Sequence, residues 1–155
     1  MSEARAEILA RIRGALGDQP AVPEVPWIYG RAVGTGDLDV VDRFVERVAD
    51  YRARVDRVDH DSSGAAITAA LQAAGAQRVV ADAAVRAAWP DSAPWVADDA
   101  LTNYDLDGID AVVTTATVAI ANTGTIILDH GVGQGRRALS LVPDVHVCVV
   151  EAAQI

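Results

Sequence analysis

The sequence predicts an α/β fold: an open, mixed, largely parallel sheet with helices on both faces. Three observations carry this expectation. Helically spaced apolar residues alternate with short β-branched runs early in the chain; strand-like runs crowd together later; and caps or glycines punctuate the junctions. The 155 residues suit one domain with a short appendage, read as an N-terminal helix and linker over 1–36 and an α/β domain over 37–155.

Residues 2–16 carry Ile8, Leu9, Ile12, Ala15 and Leu16 at helical spacing, with Ser2 to cap the start and Gly17 to end it. Residues 18–36 hold Pro20, Pro23, Pro26 and three glycines, which exclude helix and make an extended connector. Its Trp27-Ile28-Tyr29 is too apolar to stand in water, so it is expected to pack on its own domain or across a second subunit. Residues 37–54 form the second helix, capped by Asp37, with Leu38, Val41, Phe44, Val45, Val48 and Tyr51 on one face. A short strand at 57–60 precedes a third helix capped by Ser62 or Ser63 and closed by Gly75. Then come a strand at 77–82, a short helix at 83–88 stopped before Pro90, and strands at 94–99, 110–116, 124–130 and 146–152. A short helix at 136–142 would end before Pro143.

Composition removes several functions. The net charge of -9 argues against nucleic acid or anionic membrane as the main partner. All 13 basic residues are arginines, so there is no lysine for a Schiff base or for a phosphate-binding Walker loop. No run approaches the roughly 20 apolar residues of a membrane span. The N-terminus, with Glu3 and Glu7, lacks the apolar segment of a secretory signal. A soluble, cytoplasmic protein is the expectation. One cysteine, Cys148, can make no internal disulfide and cannot hold a cluster or structural zinc alone. Its alternating apolar setting favours a buried small hydrophobe over a reactive thiolate. No cofactor and no metal is expected.

Two polar turns are candidate ligand sites. Gly131, Gly133 and Gly135 follow a strand and precede Arg136 and Arg137, an arrangement that offers backbone N–H groups and cations to a small anion. The spacing is not the dinucleotide fingerprint, and a hairpin loop with a solvated arginine pair fits equally. Asn122 and Thr123 can supply side-chain hydrogen bonds, Gly124 allows close backbone approach, and Thr125 opens the next strand; an Asx-type turn joining two strands is the alternative. Both turns flank one strand, so at most one is expected to be the main site. His60, His130 and His146 lie far apart, and only His130, beside the glycine loop, stands as an acid–base candidate. Asp98 and Asp99 are a carboxylate pair. Ser62 and Ser63 lack the glycine a nucleophile elbow requires and read as a helix cap.

The stretch 108–128, the later Arg-Arg-Ala-Leu-Ser-Leu-Val-Pro-Asp-Val-His segment and the closing Glu-Ala-Ala-Gln-Ile resemble the LUD-domain family of lactate utilization proteins, the LutC/YkgG type. The pattern is an Ala-x-Ala-x-Thr-Gly-Thr strand at 119–125, then Arg137, a leucine-rich turn at 139–143, and Pro143-Asp144-Val145-His146. The resemblance spans essentially the whole chain and is specific over 108–150. It implies a fold of the ribose-phosphate isomerase/CoA-transferase kind and a role in oxidising L-lactate to pyruvate beside iron–sulfur partner proteins. The single cysteine agrees with this chain being the cluster-free member. Such proteins usually continue into a Gly-Pro-Ser-x-Thr-Ala-Asp-Ile-Glu motif and a Gly-x-His-Gly-Pro end, so the resemblance implies that this C-terminal segment is absent. A sheet edge would then be exposed, through which a homo-oligomer could form.

Two other readings stay open. A stand-alone isomerase or CoA transferase on this fold would need a nucleophile, for which Glu151 at a strand end is the sensible glutamate. A structural adaptor would use Trp27 to Tyr29 as its contact.

Overall fold

The computed structural model describes residues 3–17, 24 and 33–155. Ser2, the three clustered prolines and the Trp27-Ile28-Tyr29 contact lie outside the described residues. The chain divides into two compact units, Met1–Ala32 and Val33–Ile155. In the first, α1 spans Glu3–Ala15 and buries no residue. Ile8 and Ile12 on one side of it are exposed, as is Leu16 just beyond its end.

The second unit is the α/β body. Four strands, β1 (Val79–Ala81), β2 (Trp95–Ala97), β3 (Ala111–Thr115) and β6 (Val145–Val149), form a parallel sheet in the order β2-β1-β3-β6. Parallel strands are covered on both faces, so β1 reads as a continuous apolar run, and all three of its residues are fully buried. On one face α3 (Ser63–Ala73) and α4 (Ala83–Ala88) pack Ile67, Leu71 and Val85 against Val79, Ala81, Ala111 and Val113. On the other, α5 (Asn103–Leu106) and a 3-10 turn at Arg137–Ser140 pack Leu106 and Leu139 against Val80 and Val112. Burying each such Val or Leu contributes about 1.5–3 kcal/mol. The α/β class with helices on both faces is as expected. Antiparallel pairing is confined to a separate hairpin of β4 (Val118–Ile120) and β5 (Thr125–Ile127).

Local chemistry moves several boundaries. The helix α2 is Val40–Asp50, shorter at both ends than the expected 37–54, and Asp39 rather than Asp37 caps it, accepting from the Asp42 N–H at 2.9 Å. The expected strand at 57–60 is absent. His60–Ser62 is a 3-10 turn running into α3, and the Ser63 hydroxyl bonds back to the His60 carbonyl at 2.6 Å. That turn already serves the start of α3, so Ser62 caps it without a side-chain bond. Gly75, at φ +70°, ends α3 as expected, with the Ala76 N–H returning to the Leu71 carbonyl. The short α5, held by a reciprocal Thr102–Asp105 capping box, and β4 as a separate strand were not anticipated.

Candidate functional site

Because β1, β2, β3 and β6 are parallel, their carboxyl ends share one edge. Asp82, Asp98 and Ala116 stand immediately beyond β1, β2 and β3 there. The chain leaves β1 over the α4 face to reach β2 and returns over the α5 face to β3. The crevice between the ends of β1 and β3 is therefore a topological switch point, where open α/β sheets take ligands.

The glycine loop lies across that crevice. The Gly133 N–H donates to Asp82 Oδ2 at 2.7 Å, while Asp82 Oδ1 caps α4 at the Val85 N–H, 3.0 Å away. The Gly133 carbonyl accepts from the Thr115 N–H at 2.8 Å. A side chain at Gly133, φ +83°, would sit 2.3 Å from the Thr115 hydroxyl oxygen, and one at Gly135 would sit 2.5 Å from Leu139. Gln134, only 4% exposed, clamps the loop from within. Its Oε1 accepts from the Asp129 and His130 N–H groups, and its Nε2 donates to the Thr117 hydroxyl at 2.6 Å. The Gly131 N–H, bonded to the Asp129 carboxylate, holds that carboxyl below the usual range. The loop's N–H groups at Gly131 and Gly133 thus point at the protein's own carboxylates.

The two arginines part company. Arg136 makes a fork to Asp98, with Nε and Nη2 at 2.8–3.0 Å from its oxygens, and also reaches Asn103 Oδ1 at 2.9 Å and the Leu101 carbonyl at 2.8 Å. The Asp98 carboxylate holds the guanidinium more firmly protonated than usual. Asp98, expected as one of a carboxylate pair, is thus one half of an ion pair. Arg137 is exposed, and its guanidinium has no partner among the described residues. His130 takes the left-handed conformation, φ +63°, and its ring has no hydrogen-bond partner among them either.

The other turn lies at the opposite end of the hairpin. The Asn122 side-chain amide donates to the Val33 carbonyl at 3.1 Å, the Thr123 and Thr125 hydroxyls bond each other at 2.8 Å, and the Gly124 N–H closes on Ile120. A side chain on Gly124 would lie 2.9 Å from the backbone of Arg47 and Val48 in α2. Asn122, Thr123, Gly124 and Thr125 therefore do not join Gly133, Gly135, Arg136 and Arg137 in one place. Glu151 follows β6 and caps the 3-10 turn Ala152–Gln154.

Sequence reasoning missed Asp82 and Gln134. The signal for Asp82 was present, an acid between a strand and a helix, but its second partner was not. It also missed a groove of about 320 Å³ lined by Ile126, Leu128, Ser140, His146 and Cys148. A more open depression of about 440 Å³ at the start of α3 is lined by Arg57, Val58, Asp59 and Ser62, and Arg57 is already paired with Asp42.

The family model of the LUD domain matches residues 41–155. This chain belongs to the LUD domain family. The LUD chain is 41% identical over 160 residues to a Deinococcus radiodurans protein named Lactate utilization protein C, across 99% of this chain and 72% of that relative. It is also similar to a crystal structure of a DUF162 family protein from Deinococcus radiodurans. There the TM-score is 0.71 at 40% identity, covering 80% of this chain and 74% of the other. No helix among the described residues is long and apolar enough to cross a membrane.

Proposed function

We propose that this LUD-domain chain acts in lactate utilization, as the cluster-free subunit beside iron–sulfur proteins in the oxidation of L-lactate to pyruvate. The observation that carries the reading is the 41% identity, over nearly the whole chain, to a protein named Lactate utilization protein C. The single cysteine supports a division of labour in which partners hold the clusters, since a cluster takes several thiolates. The small anionic ligand is a carboxylate met by Arg137, the exposed cation beside the glycine loop. Gly133, Gly135 and Arg136 shape the edge around it, and the turn at 122–125 holds the hairpin on α2.

Deleting the gene is expected to abolish growth on L-lactate, with wild type restoring it and Arg137→Gln failing to. Normal growth of the deletion strain would overturn the pathway. Affinity purification of the tagged chain is expected to bring down iron in stoichiometric amount; an iron-free preparation would remove the partner part.

A further inference from the structure

Asp82 stands where β1 ends, at the switch-point crevice, and is only half-buried there. Its carboxylate has two partners among the described residues, both backbone N–H groups: Val85 at Oδ1 and Gly133 at Oδ2. A carboxylate accepts about four hydrogen bonds, so about two of its lone-pair directions are unfilled. No cation pairs with it among the described residues. Asp98, at the end of the neighbouring β2, differs in this respect, because the Arg136 fork occupies it. Arg137 is the complement of Asp82, an exposed cation whose guanidinium lacks a partner among the described residues. The loop keeps the two near each other. A side chain at Gly135 would place its Cβ 3.7 Å from that of Asp82. Arg137 follows Gly135 by two residues, at most about 7 Å of chain.

We propose, on the reading that Arg137 meets the ligand carboxylate, that Asp82 accepts a hydrogen bond from a hydroxyl on carbon 2 of that ligand. Asp82 is then the specificity-determining residue, and the ligand narrows from any small carboxylate to a 2-hydroxy acid. A carboxylate has no proton to give, so it favours a ligand group that donates and opposes one that only accepts. L-Lactate donates its hydroxyl. Pyruvate presents a 2-oxo oxygen, a second acceptor set against Asp82, and propionate presents neither. The loop offers no compensation, since its N–H groups at Gly131 and Gly133 are already taken by Asp129 and Asp82. An acid oxidised at carbon 2 thus loses its donor and, with it, the hold of Asp82.

Calorimetric titration of the full chain with L-lactate, propionate and pyruvate at one pH tests this without a variant. The expected order of affinity is L-lactate, then propionate, then pyruvate, with L-lactate about tenfold or more tighter than pyruvate. Asp82→Asn keeps a good helix cap and offers an amide that can donate to the oxo oxygen. It is expected to lower the ratio of L-lactate to pyruvate affinity by about tenfold or more. That ratio cancels any general loosening of the loop, which a merely structural role would impose on all three acids alike. Pyruvate bound as tightly as L-lactate by wild type, or an unchanged ratio in Asp82→Asn, would overturn the proposal while leaving Arg137 its ligand. A chain that binds none of the three, or an Arg137→Gln chain that binds them as wild type does, would overturn the Arg137 reading and the role of Asp82 with it.

Discussion

Two glycine turns flank the same short strand, β5, and they answer to different neighbours. At the 121–124 turn, Gly124 lets the hairpin lie against the backbone of α2, with 2.9 Å to the atoms a side chain would meet. At the 131–135 loop, Gly133 lets the chain lie against a side chain, Thr115, and gives its N–H to Asp82. Both read in sequence as places where something must come close. In both, that something is the protein itself. The difference is where they sit: the first fixes a hairpin to a helix, whereas the second closes the crevice at the carboxyl edge of the sheet and delivers Arg137 beside it.

Alanine should separate the two turns most clearly. Gly124→Ala meets backbone that cannot rotate away and a left-handed φ of +66°, and is expected to lose about 4 kcal/mol in chemical denaturation. Gly133→Ala meets the Thr115 hydroxyl and is expected to lose about 3 kcal/mol. Adding Thr115→Ala should recover part of the Gly133→Ala loss and none of the Gly124→Ala loss. Equal rescue of both would mean the two turns do not differ as described.

Acid should sharpen the contrast with a smaller effect. Asp39, at the cap of α2, is held below its ordinary 3.8 by the Asp42 N–H, and Asp129, in the glycine loop, by the Gly131 N–H. A depressed folded pKa contributes stability above the unfolded value, and that contribution is lost as pH falls through the folded one. Protection against amide exchange, relative to the free-peptide rate at the same pH, is therefore expected to fall in both regions below about pH 4. Asp129→Asn should abolish the pH dependence at Gly131 while leaving that of α2 intact. His146 adds a separate window: its folded pKa lies below 6.5, so stability falls as pH drops beneath that value.

Much of the fold was legible because parallel strands buried on both faces leave continuous apolar or β-branched runs, as at 79–81 and 111–115. The hairpin was not, because Val118-Ala119-Ile120 continues the alphabet of β3 with only Ala116 and Thr117 between. The false strand at 57–60 has the opposite cause: His60 opens a 3-10 turn, and the Ser63 hydroxyl just beyond it bonds back to the His60 carbonyl. At the site, glycine announced close approach but not of what, since Asp82 and Thr115 lie far away in sequence. Arg136 and Arg137 are indistinguishable as letters; only the position of Asp98 at the end of β2 separates them. His146 and Cys148 sit two apart on one strand, but the Thr114 hydroxyl they share comes from β3 and needs the register.

The arginine pair is divided: Arg136 is tied to Asp98 at the carboxyl edge, while Arg137 stands exposed, which leaves it for the ligand proposed above. One experiment addresses it: thermal unfolding of Arg136→Gln and Arg137→Gln, each with and without L-lactate. Arg136→Gln leaves Asp98 unpaired and is expected to lose about 2 kcal/mol, roughly 6 °C in Tm. Arg137→Gln is expected to stay within about 0.5 kcal/mol of wild type while losing the stabilisation that L-lactate gives it. An Arg137→Gln chain that unfolds early, or an Arg136→Gln chain that keeps its Tm and alone loses the response to L-lactate, would mean that Arg136 is the ligand cation and Arg137 the structural one.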